Sequence, residues 1–148
     1  MYKRILVAVD GSDTSNRALK EATKLARDQS ATLRLIHVVD VSSVYLAEMP
    51  SLIDRFQKEM REAGRKILAR SAARAKRTRI KRDTKLVVLG NPTQRIGDVI
   101  NKEAKRWRAD LVVIGTHGRR GFNHLVLGSV AEGVIRLAAK PILIIHGR

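Results

Sequence analysis

IGTHGRRGFNHLVLGSV, residues 114–130, is the segment that the rest of the chain is arranged to position. It follows the apolar run Leu111 to Ile114, holds Gly115, Gly118, Gly121 and Gly128 of the chain's ten glycines, and ends at Ser129 in front of a segment with helical period. The local order is strand, glycine loop, helix. A loop that wraps a phosphate must turn its backbone N–H groups inward and let the ligand approach closely, and side chains obstruct both. The helix behind it adds unpaired N–H groups and a partly positive end, which suits an anion. The spacing is Gly115, two residues, Gly118, nine residues, Gly128, Ser129. That is neither the GxGxxG of dinucleotide sites nor the GxxxxGK[ST] of P-loops, and no lysine stands at the P-loop position.

Outward from this stretch the chain alternates strand and helix patterns. Ile5 to Val9 is a continuous apolar run, the pattern of a strand buried on both faces, and it stops at Asp10, Gly11, Ser12. Ser12 or Asp13 is a candidate cap for a helix with Ala18, Leu19, Ala22, Leu25 and Ala26 on one face. Leu33 to Val39 reads as the second strand, with His37 inside it as a packed or hydrogen-bonded core group. The pattern fades from Val41 to Ser51, which reads as a connection. Ile53, Phe56, Met60, Ala63, Ile67 and Leu68 then mark one face of a long helix, and its continuation from Arg70 to Arg82 contains no acid. Leu86 to Leu89 reads as strand three, and Ile96, Val99, Ile100 and Ala104 as a helix reaching about Trp107. Ala131, Val134, Ile135 and Ala138 mark the last helix, and Pro141 introduces a fifth strand, Ile142 to Ile145. Every crossover between strands carries a helix, so the expectation is one α/β domain, residues 1–148, around a parallel sheet.

Composition agrees. At 148 residues and 44% hydrophobic the chain can bury a real core, and with aromatics at 3% that core must be Val, Ile, Leu and Ala. The absence of cysteine excludes disulfides and thiolate metal sites. MYKRILVAVD has no signal-peptide core and no run approaches the roughly eighteen apolar residues of a membrane span, so a soluble cytoplasmic protein is expected. The 30 Lys and Arg against 14 Asp and Glu give a formal charge of +16, which attracts polyanions. The ordinary reading of the basic run is a solvated face, with nucleic acid bound only non-specifically. The four histidines, His37, His117, His124 and His146, show no metal-binding or triad spacing.

The G-2x-G-9x-G-[S/T] pattern resembles the nucleotide-binding signature of the ATP-binding branch of the universal stress protein family. The opening ILVAVDGS, the LIHVVD segment and the closing KPILII resemble that family's hallmarks in the same order. The resemblance implies an open five-stranded sheet of order 3-2-1-4-5, Rossmann-like, with helices on both faces. In that order strands one and four are neighbours at the reversal of winding, where open α/β sheets bind ligands. Carried over by position, Asp10 faces the base and sugar end of ATP and Val38 touches adenine. Gly115, His117 and Gly118 form the first turn of the phosphate loop, and Gly128, Ser129 and Val130 its second half. Ser129 also has capping-box spacing with Glu132. A left-handed backbone at Gly118 or Gly128 is a further expectation. Arg119, Arg120 and His124 either contact phosphates or lie exposed.

Few acids stand near this loop, so any Mg²⁺ accompanying ATP would be held by phosphates and waters. Strand five lies at a sheet edge, and the resemblance implies a homodimer through it. The functional expectation is a nucleotide-dependent regulatory module of the stress response, read by an unidentified signalling partner, with little or no turnover. A slow ATPase or autophosphorylating enzyme is the alternative, although no general base or arginine finger can be named. A nucleic-acid-associated protein is a further one, for which no RNP, zinc or helix-turn-helix motif speaks.

Overall fold

The computed structural model describes residues 1–42, 50–76, 79–117 and 127–147. Among these residues five strands and four helices alternate: β1 Arg4–Ala8, α1 Asp13–Asp28, β2 Thr32–Asp40, α2 Pro50–Lys76, β3 Arg82–Leu89, α3 Ile96–Arg106, β4 Leu111–Gly115, α4 Ser129–Arg136 and β5 Ile142–Ile145. All pairings are parallel and the order is β3-β2-β1-β4-β5, as expected.

β1 is the centre of the sheet, and Ile5, Leu6 and Val7 have no exposed surface. Side chains alternate across a strand, so each face collects its own core. Ile5 and Val7, with Leu33, Leu35, Leu111 and Val113, pack under Ala18, Leu19 and Ala22 of α1 and Leu68 and Ala75 of α2. Leu6, with Ile36, Val112 and Ile114, packs under Ile100 and Ala104 of α3 and Ala131 and Val134 of α4. Each such aliphatic side chain contributes about 1.5–3 kcal/mol by leaving water, so both layers are needed. His37 is buried, and its Nδ1 lies 2.6 Å from the Val9 carbonyl, which makes it the hydrogen-bonded core group expected.

One helix face and two element boundaries differ from the sequence reading. The buried stripe of α2 is Gly64, Leu68, Ser71 and Ala75, while Ala63 is exposed and Phe56 is 48% exposed. Small residues at the contact let the helix lie close to the sheet: a Cβ at Gly64 would stand 2.6 Å from Val39 Cγ2. A hydrophobicity pattern cannot register a face made of Gly, Ser and Ala. β3 begins at Arg82 rather than Leu86. β3 is an edge strand whose first residues are polar, and Asp83 earns its place by a bidentate contact to Arg34 at 2.6 and 2.7 Å. Arg34 also donates to buried Glu103 at 2.8 Å and stacks over Trp107 at 4.6 Å. The Asp83 hydrogen bond, outweighing partial desolvation, holds the guanidinium above its ordinary range with help from Glu103. Finally, α4 ends at Arg136, leaving Ala138 outside the helix, because the chain must turn back before Pro141 to enter β5. Part of the expected connection, 43–49, lies outside the described residues.

α3 and α4 touch backbone to backbone. A Cβ at Gly97 would fall 2.7 Å from the Gly133 carbonyl carbon, whereas one at Gly133 would meet Gly97 Cα at an ordinary 3.5 Å. Asn101 Nδ2 secures the crossing by donating to the Val134 carbonyl at 3.0 Å. Gly97→Ala should therefore cost about 1–3 kcal/mol in chemical denaturation, because two helices must separate. Gly133→Ala should be neutral or stabilising, since alanine is the better helix former by about 1 kcal/mol.

At the other end of the sheet, Asp110 Oδ2 accepts from the backbone N–H groups of Lys3 and Arg4 at 2.8 and 2.9 Å, tying β1 to the start of β4. Desolvation pushes this carboxyl up, but the two N–H groups and the charges of Lys140 and Arg4 outweigh it and hold it below the usual range. A carboxyl depressed in the folded state stabilises above its unfolded pKa of about 3.9, and that stability is lost as pH falls through the lower folded value. Asp110→Asn should lower the melting temperature at pH 7, and the gap to the parent should close on acidification below about pH 4.

Candidate functional site

The site grows from the ends of β1 and β4. Their register pairs Val7 with Val113, so Asp10 and Thr116, each three residues further on, leave the sheet at the same level. Asp10 Oδ1 accepts from the Ser12 N–H at 2.9 Å and the Ser12 hydroxyl at 2.6 Å, which fixes the turn into α1. Gly11 takes φ +83°, a left-handed conformation that glycine adopts without penalty. Ser12 is the N-cap, accepting from Ser15 N–H at 3.2 Å.

The same device closes the next two strands. Asp40 Oδ1 accepts from the N–H and hydroxyl of Ser42, and Asn91 Oδ1 accepts from the N–H and hydroxyl of Thr93. Thus D-G-S, D-V-S and N-P-T end β1, β2 and β3, side by side along one edge of the sheet. This repeated Asx-x-Ser/Thr pattern is a signal the sequence reading passed over. In both Asp10 and Asp40 it occupies Oδ1 and leaves Oδ2 as the oxygen able to meet a ligand hydroxyl or amino group.

The two ends of the glycine loop come together. Thr116 N–H donates to the Ile145 carbonyl at 2.9 Å, and Gly128 N–H donates to the Thr116 carbonyl at 2.8 Å. Gly115 is required by packing: a Cβ there would stand 2.8 Å from Thr14 Cγ2 in the first turn of α1. Gly128 is the N-cap of α4, and Ser129 and Val130 are its first two helical residues. The capping box expected of Ser129 and Glu132 is absent, since Ser129 lies one place too late to cap. Its hydroxyl is exposed and α4 has no side-chain cap. The left-handed backbone expected at Gly128 is also corrected. Its φ is −69°, and the constraint is instead crowding: a Cβ would sit 3.0 Å from the Thr116 carbonyl oxygen. Helix geometry leaves the N–H groups of the first turn, from Ser129 and Val130 among others, without intrahelical acceptors.

His117 is half-buried. Its Nδ1 lies 2.9 Å from Thr116 Oγ1, and its Nε2 is buried without a partner among the described residues. Val38 is half-buried on the α3/α4 face, near the end of β2. Gly118, with Arg119, Arg120 and His124, lies outside the described residues.

A cavity of about 390 Å³ opens beside this turn, between the end of β2 and the N-termini of α3 and α4. Ser129 and Val130 line it, as do Asp40, Gln94, Arg95 and Arg136, but Asp10, Val38, Gly115, His117 and Gly128 do not. Of the residues assigned from the sequence the cavity takes in Ser129 and Val130, and its α3 wall, which the Gly97–Gly133 contact brings into position, had no counterpart in the sequence reading. No group of three or more potential metal ligands occurs among the described residues, nor is any of their helices long and apolar enough to cross a membrane.

An open, doubly covered parallel sheet with an anion-suited helix terminus at its switch point defines the Rossmann-like α/β class. Comparison with known proteins is more specific. The model of the universal stress protein family matches residues 1–146. Universal stress protein YxiE of Bacillus subtilis is 34% identical over 155 residues, covering 99% of this chain and 100% of that one. The solved structure of MJ0577, from Methanocaldococcus jannaschii, superposes with a TM-score of 0.86 at 25% identity, covering 100% of this chain and 98% of its own. A universal stress protein in complex with cAMP matches at 26% identity and TM-score 0.72, each chain covered to 99%. The Archaeoglobus fulgidus protein in complex with dAMP matches at 26% and 0.67, covering 97% of this chain and 98% of that one. The chain belongs to the universal stress protein family.

Proposed function

We propose that residues 1–148 act as one domain that binds an adenine nucleotide, ATP with Mg²⁺, at the switch point between β1 and β4. The observation that carries this reading is the Thr116–Gly128 hydrogen bond at 2.8 Å, which closes the glycine loop beneath the first turn of α4. That closure sets the N–H groups of Ser129 and Val130 beside Gly115 and His117, an arrangement suited to phosphate. His117 Nε2, buried without a partner among the described residues, supplies a further polar atom for the ligand. The signature's spacing assigns Gly118 to the same phosphate loop, while Asp10 through Oδ2 and Val38 serve the sugar and base. Relatives with cAMP and dAMP bound support the ligand class. With no carboxylate cluster among the described residues, Mg²⁺ takes its ligands from phosphates and waters. The bound state then reports to a signalling partner in the cytoplasm during stress, and turnover is slow or absent.

Calorimetry on nucleotide-free protein tests the site. Asp10→Ala should weaken ATP and adenosine alike by roughly 10- to 150-fold, the equivalent of about 1.5–3 kcal/mol. Gly128→Val should abolish ATP binding and largely spare adenosine. If the parent protein does not take up ATP with Mg²⁺ at millimolar concentration, the proposal fails. A turnover above about 1 s⁻¹ would establish an enzyme instead.

We further infer a homodimer through β5. Ile142–Ile145 is an apolar edge strand whose four residues are all only half-buried, and exposed edges of that kind are usually covered. Light scattering should give a dimer that Ile144→Pro converts to monomer, and a monomeric parent at micromolar concentration would refute the assembly.

A further inference from the structure

The charge of the chain is not spread evenly. Residues 61–82 contain ten Lys and Arg and a single acid, Glu62. Along α2 the stripe Gly64, Leu68, Ser71 and Ala75 faces the sheet; Lys66 and Arg70 stand opposite it, with Arg61 and Arg65 on one flank and Arg74 on the other, all exposed. At 1.5 Å per residue these five span about 20 Å of rigid helix. The early part of the same helix is self-neutralised, as the Arg55–Glu59 pair at 3.0 Å illustrates. Among the described residues none of the five ridge cations enters an ion pair. Lys66, Arg70 and Arg74 are instead like charges at successive i,i+4 positions, an arrangement that opposes the helix. The packed face does not require this: any polar residue would serve on the outer side.

The chemistry of the ridge selects its partner. Among the described residues the large exposed hydrophobic ones are Met1, Phe56, Ile135 and Leu137, none of them on the ridge, so it offers nothing to insert into a lipid surface. It carries no aromatic side chain on which an unpaired base could stack. Four of its five cations are arginine, whose planar fork matches phosphate oxygens in pairs. Phosphates follow one strand of a duplex at about 3.4 Å of axial rise, so a 20 Å ridge runs past roughly six of them.

We propose that the exposed face of α2 is a docking surface for the phosphate backbone of a nucleic-acid duplex, independent of base sequence. It lies on the α1/α2 side of the sheet, opposite the layer formed by α3 and α4. The surface goes beyond the nucleotide reading and stands whether or not that reading holds.

The test separates a defined ridge from diffuse charge. Fluorescence anisotropy with a labelled 24-base-pair duplex of arbitrary sequence is measured across a salt series for the parent and two triple variants. Arg65→Glu/Arg70→Glu/Arg74→Glu alters the ridge. Lys102→Glu/Lys105→Glu/Arg108→Glu alters exposed cations near α3 and changes the net charge by the same amount. The ridge variant should raise Kd at least tenfold and flatten the slope of log K against log salt by about 3, while the α3 variant should change Kd less than threefold. Circular dichroism checks folding; if the glutamates unfold α2, the corresponding glutamine triple replaces them with the same expected direction. Equal weakening by both variants overturns the proposal, since it would mean that only net charge matters. Tighter binding to single strands of the same length overturns it, as does binding to vesicles containing phosphatidylserine with none to the duplex.

Discussion

A parallel strand at the centre of a sheet must be covered on both faces, and in this chain that requirement falls on β1. Ile5 and Val7 look one way and Leu6 the other, each with no exposed surface. Two helices are therefore needed on each side. The chain supplies them by sending the crossovers through α1 and α2 over one face and those through α3 and α4 over the other. The change of side has to occur once, and it occurs between β1 and β4, the two neighbours whose following segments diverge. The crevice beside Asp10 and Thr116 is the geometric remainder of covering β1 twice.

How deep that crevice runs depends on residues with little or no side chain. Gly97 against Gly133 lets α3 and α4 cross at backbone distance, which draws their N-termini toward the end of β2. Gly115 against Thr14 brings the end of β4 against the start of α1. Both contacts exchange the packing a larger side chain would provide for proximity of backbone N–H groups. Together with the Asx turns that close β1, β2 and β3, they form a polar rim on an apolar sheet. At the opposite end, Asp110 gathers the N–H groups of Lys3 and Arg4, so the strands are anchored where no ligand is called for.

The two faces differ in charge management as well as in shape. On the α3 side, Arg34 is consumed internally by Asp83, Glu103 and Trp107, and Arg106 also pairs with Glu103 at 2.9 Å. Glu103 is only 5% exposed, so removing its partners would strand a buried charge. On the α2 side the cations from Arg61 to Arg74 have no such use within the described fold.

The element types, the parallel sheet and, through the glycine spacing and its family resemblance, the strand order and the loop at the switch point were legible in the order of residues alone. These are legible because continuous apolar runs and helical periods are set by local burial, and because a signature keeps its spacing in one chain segment. It also put Ser129 and Val130 correctly at the start of α4. Long-range packing settled that Gly128 rather than Ser129 is the cap, and that the constraint there is crowding by a carbonyl 3.0 Å from a Cβ position rather than a left-handed backbone. Only the tertiary structure rotated the buried face of α2 onto Gly64, Ser71 and Ala75, extended β3 back to Arg82, and set Gln94 and Arg95 across from Ser129. In each case the deciding quantity is a distance between segments far apart in the chain. A small residue at a contact, or a polar one on an edge strand, carries no hydrophobic mark from which that distance could have been read.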